Sequence, residues 1–275
     1  MSGRYAEVIG DPIAQSKSPI IHGFWLERCG VPGRYDKTHV LAEDLGDYIH
    51  RRRRDPDWRG CNVTIPHKLA VLPLADQIDE AAERVGAANC LYYAHGRLVA
   101  TNTDVIGVGE ALARGLIGQP VCLIGAGGAA RAALVAAYAL GASDMRLVLR
   151  EPAKGERLLS ELAMRGSVFS LDDAGRAFHE AAVVINASPL GMQSSPAMPP
   201  ALLDALALVA PGAIVFDMVY APLETDLLAR ARSLGLTAVD GLTMLIGQAG
   251  EAFYHLFGVA APREHDAELR AKLTA

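Results

Sequence analysis

The amino-acid sequence predicts an α/β protein with two domains. Short apolar runs alternate with helical segments through the second half of the chain, and this alternation favours a parallel sheet with right-handed crossovers. A glycine-rich turn at residues 125–130 separates one apolar run from an alanine-rich helical segment. The length of 275 residues and the hydrophobic content of 51% leave room for two cores.

The glycine-rich turn has the features by which α/β folds hold a dinucleotide. Gly125 would allow the tight turn, Gly127 would let the backbone approach a pyrophosphate, and the small Ala130 would let the helix pack close to the strand. The helix start presents free N–H groups and the positive end of its dipole to phosphate. Such a fingerprint also fits an ordinary strand–helix turn, but here strand, turn and helix follow in the required order. We therefore expect a dinucleotide site.

Composition and charge argue against several other classes of protein. The net charge of −5 gives no electrostatic reason to expect nucleic acid or an acidic membrane surface as a partner. Acidic neighbours balance the basic run at residues 51–54, which we interpret as a solvated helix end. The four cysteines lack metal-type spacing, so no metal site is expected. No signal core or membrane-length apolar window occurs, so we expect a cytoplasmic location.

Polar residues follow the first predicted strand, at residues 4–9. Pro19 fits the first turn of the next helix, with Ser18 as its N-cap. Ser18 is then either a cap alone or, together with Ser16, a ligand for an anion or a hydroxyl group. The residues leave both interpretations open.

A second polar cluster follows the apolar run after Gly60. Pro66 ends this strand, and we expect residues 67–72 to begin a helix. Thr64 and Lys68 would then lie at a strand's carboxyl end, where open α/β sheets bind ligands. A single lysine is more often a surface charge, and the neighbouring Asn62 and Thr64 are what favour a site.

The remaining elements follow from periodicity and turn residues. Residues 91–101 predict a hairpin, because His95-Gly96 supplies its turn. Further strands are expected at residues 145–149, 182–185, 213–216 and 237–239, and helices at 79–84, 105–116, 225–234 and 243–257. Gln248 lies on the last helix and matters for function only if that helix packs back over the first domain.

Taken together, these motifs resemble the shikimate dehydrogenase family along nearly the whole chain. The resemblance rests on residues 10–19, 60–68, 86–89, 102–104, 125–129, 186–192, 217–222 and 241–248. It implies an N-terminal α/β substrate domain with a mixed, mainly parallel sheet, and a Rossmann-type dinucleotide-binding domain with a parallel sheet, with a cleft between them. The substrate domain would span residues 1–106 and 243–275, and the NADP-binding domain residues 107–242.

The resemblance also implies an activity, the reversible reduction of 3-dehydroshikimate to shikimate with NADPH, which serves chorismate and aromatic amino acid biosynthesis. Lys68 would be the general acid/base, and Asp104 its partner. The substrate-binding residues would be Ser16, Ser18, Thr64, Lys68, Asn89, Asp104, Tyr220 and Gln248. The cofactor-binding residues would be Gly125, Ala126, Gly127, Gly128, Ala129, Arg150, Met218 and Gly241. These residue types suit the chemistry, because hydride transfer to a ketone needs a proton donor near the developing alkoxide.

The chain departs from the family pattern after the second Rossmann strand. Leu149-Arg150-Glu151 stands where the family commonly has Asn-Arg-Thr. An arginine there can bind the 2′-phosphate of NADP, whereas an acidic residue can bind a ribose hydroxyl of NAD. We expect NADP, with an NAD-preferring quinate/shikimate dehydrogenase as the alternative. A third hypothesis is a dinucleotide-binding sensor that catalyses no reaction. For the oligomeric state, a monomer and a homodimer are both compatible with the sequence.

Overall fold

The computed structural model describes residues 3–113, 115–193 and 195–275. The chain forms two compact units. Unit 1 contains the residues up to 103 and from 246 to 275, and unit 2 contains residues 104–245. The assignment of residues 1–106 and 243–275 to the substrate and 107–242 to the cofactor stays a prediction about function.

Unit 1 is built on a six-stranded mixed sheet. Its strands are β1 (Tyr5–Gly10), β2 (Arg34–His39), β3 (Trp58–Val63), β4 (Gln77–Ile78), β5 (Cys90–Ala94) and β6 (Arg97–Thr101). They lie in the order β2-β1-β3-β5-β6-β4. β1 pairs in parallel with β2 and β3, and β4 in parallel with β6, while β5 is antiparallel to both β3 and β6. The mixed, mainly parallel sheet predicted from the sequence is confirmed.

The predicted hairpin turn is also present. His95 and Gly96 have φ of 50° and 75°, so both central residues are left-handed. Two such residues match the right-handed twist of the strands that they join, here β5 and β6.

Unit 2 is built on a parallel sheet, as predicted. Its strands are β7 (Pro120–Ile124), β8 (Asp144–Val148), β9 (Ser167–Phe169), β10 (Val183–Asn186), β11 (Ile214–Asp217) and β12 (Thr237–Val239). Their order is β12-β11-β10-β7-β8-β9, and every neighbouring pair is parallel. The order reverses between β7 and β10, and ligands of open α/β sheets bind outside the strand ends at such a point.

Helices flank these sheets. They are α1 (Ser18–Cys29), α2 (Leu45–Arg52), α3 (Glu80–Val85), α4 (Asp104–Leu112), α5 (Gly128–Ala139), α6 (Pro152–Glu161), α7 (Ala174–Phe178), α8 (Pro200–Ala205), α9 (Asp226–Ser233), α10 (Gly241–Phe257) and α11 (Asp266–Thr274). Among the described helices, none is both long and apolar enough to cross a membrane.

The strand of the glycine-rich turn shows why its sequence is apolar throughout. Val121 and Leu123 belong to one buried cluster of unit 2, and Cys122 and Ile124 belong to a second. Side chains alternate between the two faces of a sheet, so a strand that is covered on both faces has no polar positions.

Two local predictions were wrong. Ser18 is the first residue of α1 and Lys17 occupies the N-cap position, so Ser18 is not the cap. We expected residues 67–72 to begin a helix, but residues 67–71 form turns, and only a short 3₁₀ helix follows at Leu72–Leu74. Pro73 lacks the N–H that would continue such a helix. The chain is instead held by His67, whose Nε2 lies 2.8 Å from the Val40 carbonyl oxygen.

His22 of α1 is buried in an aromatic group of unit 1. Its ring stacks on Tyr35 with 4.0 Å between centroids and also packs against Trp25 and Phe253. Neither ring nitrogen has a hydrogen-bond partner among the described residues. Burial lowers the pKa of His22 to about 3, because the charged imidazolium would lose its hydration.

We therefore expect His22 to destabilise the protein in acid. Below pH 6.5 the unfolded chain binds a proton at His22 that the folded chain does not bind until about pH 3, so stability falls as the pH drops through this window. His22 should lower the free energy of unfolding by roughly 1.4 kcal/mol for each pH unit in this window, and His22→Leu should abolish that loss. Urea unfolding of both proteins from pH 7 to pH 4 measures the difference. Parallel stability curves would contradict the assignment.

Candidate functional site

Several polar loops of unit 1 meet at one edge of its sheet. β1 and β3 run in parallel and pair Ile9 with Val63, so the loops that follow them start side by side. β5 runs against β3 and begins opposite its end, with Asn62 paired to Cys90. β6 runs against β5 and ends at the same place, with Cys90 paired to Thr101. Residues before β5 and after β6 therefore lie at this edge too.

Ser16 and Ser18 lie in the loop after β1 and at the start of α1. Their hydroxyl oxygens are 3.3 Å apart, and the Ser18 N–H points to the Ser16 hydroxyl oxygen at 3.4 Å. Ser18 is buried and Ser16 partly buried. The structure thus brings the two predicted hydroxyls together, although neither is the expected helix cap.

Thr64 and Lys68 lie on the loop after β3. The Thr64 N–H donates to the Ile9 carbonyl at 2.9 Å, which ties this loop to the end of β1. A Cβ on Gly10 would clash with the methyl group of Thr64, so the close approach of the two loops requires glycine at position 10. The Lys68 carbonyl accepts from the Ala88 N–H at 2.8 Å, which places Lys68 next to the segment before β5. Both side chains are partly buried.

Asn89 and Gln248 are in direct contact within unit 1. The Asn89 Nδ2 donates to Gln248 Oε1 at 3.2 Å. Gln248 belongs to α10, so this helix does pack against the segment between α3 and β5. Both residues are buried, with exposures of 3% and 8%, so Gln248 does not face solvent.

Asp104 is the first residue of α4 and therefore of unit 2. Its side chain is only 4% exposed. A carboxylate at the first turn of a helix is favoured by the helix dipole.

The glycine-rich turn of unit 2 fits a dinucleotide phosphate. Gly125 has a φ of 114°, and a Cβ there would lie 3.0 Å from the Ala187 carbonyl oxygen, so this position requires glycine. Gly127 is the N-cap of α5, and a Cβ there would meet no described atom within 4 Å. The open side of Gly127 leaves room for a ligand, and α5 has no acidic residue in its first turn to repel phosphate. Ala130 is fully buried, as close helix–strand packing demands.

Arg150 lies at the same strand edge as this turn. β8 runs parallel to β7 and pairs Val148 with Ile124, so the residues after each strand are neighbours. Arg150 is exposed. The Glu151 carboxylate is held 2.6 Å from the Lys154 ammonium, and this hydrogen bond lowers the pKa of Glu151. With Glu151 paired to Lys154, the exposed Arg150 guanidinium can bind a phosphate at this corner.

Met218 and Gly241, the predicted nicotinamide-site residues, touch through their backbones. A Cβ on Gly241 would clash with the Met218 carbonyl oxygen, so only glycine permits this approach. Tyr220 lies two residues after Met218 and is mostly buried, which raises the pKa of its phenol.

Sequence reasoning missed Asp217, the last residue of β11. Its carboxylate accepts from Asn186 Nδ2 at 2.9 Å, from the Val219 N–H at 3.0 Å and from the Thr225 hydroxyl at 2.7 Å. These bonds connect the ends of β10 and β11 to the start of α9. A carboxylate that directly follows an apolar strand was the available signal. Burial raises the pKa of Asp217 to about 6, although the three hydrogen bonds oppose that rise.

Sequence comparison identifies relatives of the chain. The family model described as the shikimate dehydrogenase substrate binding domain matches residues 8–91. A shikimate dehydrogenase (NADP(+)) from Sphingopyxis alaskensis is 47% identical over 273 residues, which cover 98% of this chain and 97% of the relative.

The chain belongs to the shikimate dehydrogenase family.

Solved structures of similar proteins agree with this membership. A shikimate 5-dehydrogenase from Thermus thermophilus, in complex with NADP(H) and shikimate, has a TM-score of 0.84 and 31% identity, covering 98% of this chain and 99% of that one. A quinate dehydrogenase from Corynebacterium glutamicum, in complex with NAD, has a TM-score of 0.87 and 27% identity, covering 98% and 99%. The family resemblance inferred from the motifs is confirmed.

The raised pKa of Asp217 predicts a pH-dependent stability. Between pH 3.8 and about 6 the folded protein binds a proton at Asp217 more tightly than the unfolded chain, so this residue makes stability fall as the pH rises. Relative to Asp217→Asn, the wild type should lose roughly 2 kcal/mol between pH 4 and pH 7. Chemical unfolding of both proteins across this range measures the difference. A constant difference between the two proteins would sink the prediction.

Proposed function

We propose that the protein is an NADP-dependent shikimate dehydrogenase that interconverts 3-dehydroshikimate and shikimate. The observation that carries the proposal is the gathering of Ser16, Thr64, Lys68 and Asn89, from separate motifs, at one edge of the unit 1 sheet. Relatives named for this activity, similar over 98% of the chain, support it.

Lys68 is proposed as the general acid/base. Reduction of the ketone develops negative charge on its oxygen, and the Lys68 ammonium donates a proton to that oxygen while stabilising the charge. In the oxidation direction the neutral amine accepts the hydroxyl proton. We assign Asp104 as its partner, because a carboxylate beside an ammonium orients it and favours its charged form.

The remaining unit 1 residues are proposed to bind the substrate. The Ser16 and Ser18 hydroxyls suit a carboxylate, since each can donate one hydrogen bond to an anionic oxygen. Thr64, Asn89 and Gln248 suit ring hydroxyls, which both donate and accept. Tyr220, from unit 2, is proposed as a substrate-binding residue close to the substrate carboxylate.

Unit 2 is proposed to hold the cofactor. When bound, NADP(H) supplies or accepts the hydride. The backbone of residues 125–129 and the start of α5 would hold its pyrophosphate, and Arg150 would hold the 2′-phosphate. Met218 and Gly241 would line the nicotinamide end, where their close backbone contact leaves little room for side chains.

An NAD-preferring quinate/shikimate dehydrogenase is the second candidate. Glu151 favours it, because an acidic residue after the second Rossmann strand can bind the ribose hydroxyl of NAD. In this structure the Glu151 carboxylate bonds Lys154. The pair leaves Arg150 as the residue that distinguishes the cofactors. The non-catalytic sensor stays a weaker alternative. The cytoplasmic location and the monomeric or homodimeric state stay predictions.

Turnover by the purified protein tests the activity. Shikimate with NADP should produce the near-ultraviolet absorbance of NADPH. Lys68→Ala should lower kcat by about 10²–10⁴-fold, the usual contribution of a general acid/base, while calorimetry still detects NADP binding. Lys272→Ala, which removes an exposed lysine of unit 1, is the matched control and should leave kcat unchanged. A wild type inactive with both NADP and NAD would rule out the proposed function. Full kcat in Lys68→Ala would rule out the role of Lys68.

Cofactor preference tests Arg150. Arg150→Ala should lower kcat/KM for NADP by about 10–100-fold, the loss expected for hydrogen bonds between a guanidinium and a phosphate, and change kcat/KM for NAD by less than about threefold. Arg165→Ala, which removes another exposed arginine of unit 2, is the control. Equal losses of kcat/KM with both cofactors would show that Arg150 does not bind the 2′-phosphate. A wild type that prefers NAD would favour the second candidate.

A further inference from the structure

The loop after β11 is joined to two other segments of unit 2. The Met218 N–H donates to the Asn186 carbonyl at 3.0 Å. Further along, the Gln193 N–H donates to the Ala221 carbonyl at 2.9 Å. Gly241, at the start of α10, approaches the Met218 carbonyl so closely that a Cβ would clash with it. The loop after β11 is therefore held between the loop after β10 and the start of α10.

The loop after β10 also reaches the glycine-rich turn. The Ala187 N–H donates to the Ile124 carbonyl at 2.9 Å. A Cβ on Gly125 would lie 3.2 Å from the Cβ of Ser188. The loop after β10 thus contacts both the glycine-rich turn and the loop after β11, which are proposed to hold the two ends of the cofactor.

The Asn186 side chain links these loops in one direction only. Its Oδ1 accepts from the Ser188 N–H at 3.1 Å and from the Ser188 hydroxyl at 2.7 Å. A backbone N–H can only donate, so this end of the amide is the oxygen. The nitrogen, Nδ2, then donates to the Leu190 carbonyl at 3.0 Å and to Asp217 Oδ1 at 2.9 Å.

Asp217 is the centre of this network. Its Oδ1 accepts from the Val219 N–H at 3.0 Å as well as from Asn186, and its Oδ2 accepts from the Thr225 hydroxyl at 2.7 Å. Asp217 and Asn186 are both 0% exposed, and Thr225 is 2% exposed. A side chain without exposed surface does not touch a ligand, so any influence of Asp217 on a ligand passes through its partners.

We propose that Asp217 is a positioning residue for hydride transfer. The bond from the Val219 N–H back to the Asp217 carboxylate closes a turn around Met218. Through Asn186, the same carboxylate ties this turn to the loop beside Gly125. Asp217 thereby holds the nicotinamide end of the cofactor site in a fixed position relative to the pyrophosphate end. The role in hydride transfer rests on the proposed function, whereas the hydrogen bonds do not.

Single-turnover kinetics test this role. Protein with bound NADPH is mixed with 3-dehydroshikimate, and the loss of NADPH absorbance gives a rate constant and an amplitude. Asp217→Ala should lower the rate constant by about 10–100-fold, since reacting atoms that are misplaced by about 1 Å can cost about 10²-fold. Its Kd for NADP, measured by calorimetry, should stay within about twofold of the wild type, because the proposed phosphate-binding residues lie on other loops.

The conservative variant and a control complete this experiment. The amide oxygen of Asp217→Asn can still accept from Val219 and Asn186, so its rate constant should stay within about threefold of the wild type. Asp172→Ala, which removes an exposed carboxylate of unit 2, is the matched control and should leave the rate constant unchanged. A reduced amplitude with a wild-type rate constant in Asp217→Ala would show that Asp217 only stabilises the fold, and would overturn the proposal.

Thr225 variants test the same carboxylate by a milder change, which decides the question even if Asp217→Ala does not fold. Thr225→Val keeps the shape of the side chain and removes the hydroxyl that holds Oδ2, so the carboxylate can turn away from Val219. Its rate constant should fall at least about threefold, and Thr225→Ser, which restores the hydroxyl, should stay within about twofold of the wild type. Equal rate constants in Thr225→Val and the wild type would contradict the proposal.

Amide hydrogen exchange in the ligand-free protein separates this inference from the proposed function. The Leu149 N–H, which donates to the Phe169 carbonyl at 3.1 Å, lies between β8 and β9, away from β11, and serves as the reference for global opening. The ratio of the Val219 exchange rate to the Leu149 exchange rate, measured by ¹⁵N NMR, should rise at least about tenfold in Asp217→Ala and about threefold in Thr225→Val. Asp217→Asn should keep the wild-type ratio.

The exchange ratio gives two further outcomes. An unchanged ratio in Asp217→Ala or, if that variant does not fold, in Thr225→Val would overturn the role of Asp217. A wild type that is inactive with both NADP and NAD, in a series that shows the expected rise, would overturn the proposed function and leave the role of Asp217 in holding the loop established.

Discussion

Strand pairing is the constraint on which the candidate site depends. Parallel strands end at one edge of their sheet, so loops that follow β1 and β3 become neighbours although they are more than fifty residues apart. The antiparallel hairpin of β5 and β6 returns two further segments to that edge. In unit 2 the parallel pairing of β7 with β8 and β10 brings the glycine-rich turn beside Arg150 and Ala187.

Buried polar groups give this edge a defined geometry. An amide that is removed from water must find partners within the protein, and few arrangements satisfy several amides at once. Asn89, Thr103 and Gln248 form such a set in unit 1. Asn186, Asp217 and Thr225 form another in unit 2, where they hold the loops after β10 and β11. In each unit the strand ends are therefore anchored by hydrogen bonds as well as by packing.

Much of this could be predicted from local sequence. The apolar runs located the strands, His95-Gly96 located the hairpin, and the glycine spacing located the turn before α5. Local reasoning failed at residues 67–72 because a tertiary contact, His67 to the Val40 carbonyl, and the proline at position 73 outweighed helical periodicity. It failed at Ser18 because the helix begins at Ser18 itself, and which residue becomes the cap depends on backbone angles that periodicity does not encode.

The sequence by itself determined the α/β class, the two sheets, the glycine-rich turn and the family, because periodicity and motif spacing are local properties. It also named Asn89 and Gln248 as candidates without showing that they touch. Only the tertiary structure decided that α10 packs against Asn89, that the Thr103 N–H donates to Asn89 Oδ1, and that the buried Asp217 carboxylate accepts three hydrogen bonds. Hydrogen-bond direction and burial depend on segments far apart in the chain, so no local pattern could reveal them. The turn at Gly125 shows both sources of information. Its glycine could be identified from the sequence alone. The reason that glycine is required is tertiary, because a Cβ at position 125 would lie 3.0 Å from the carbonyl oxygen of Ala187, in a distant segment of the chain.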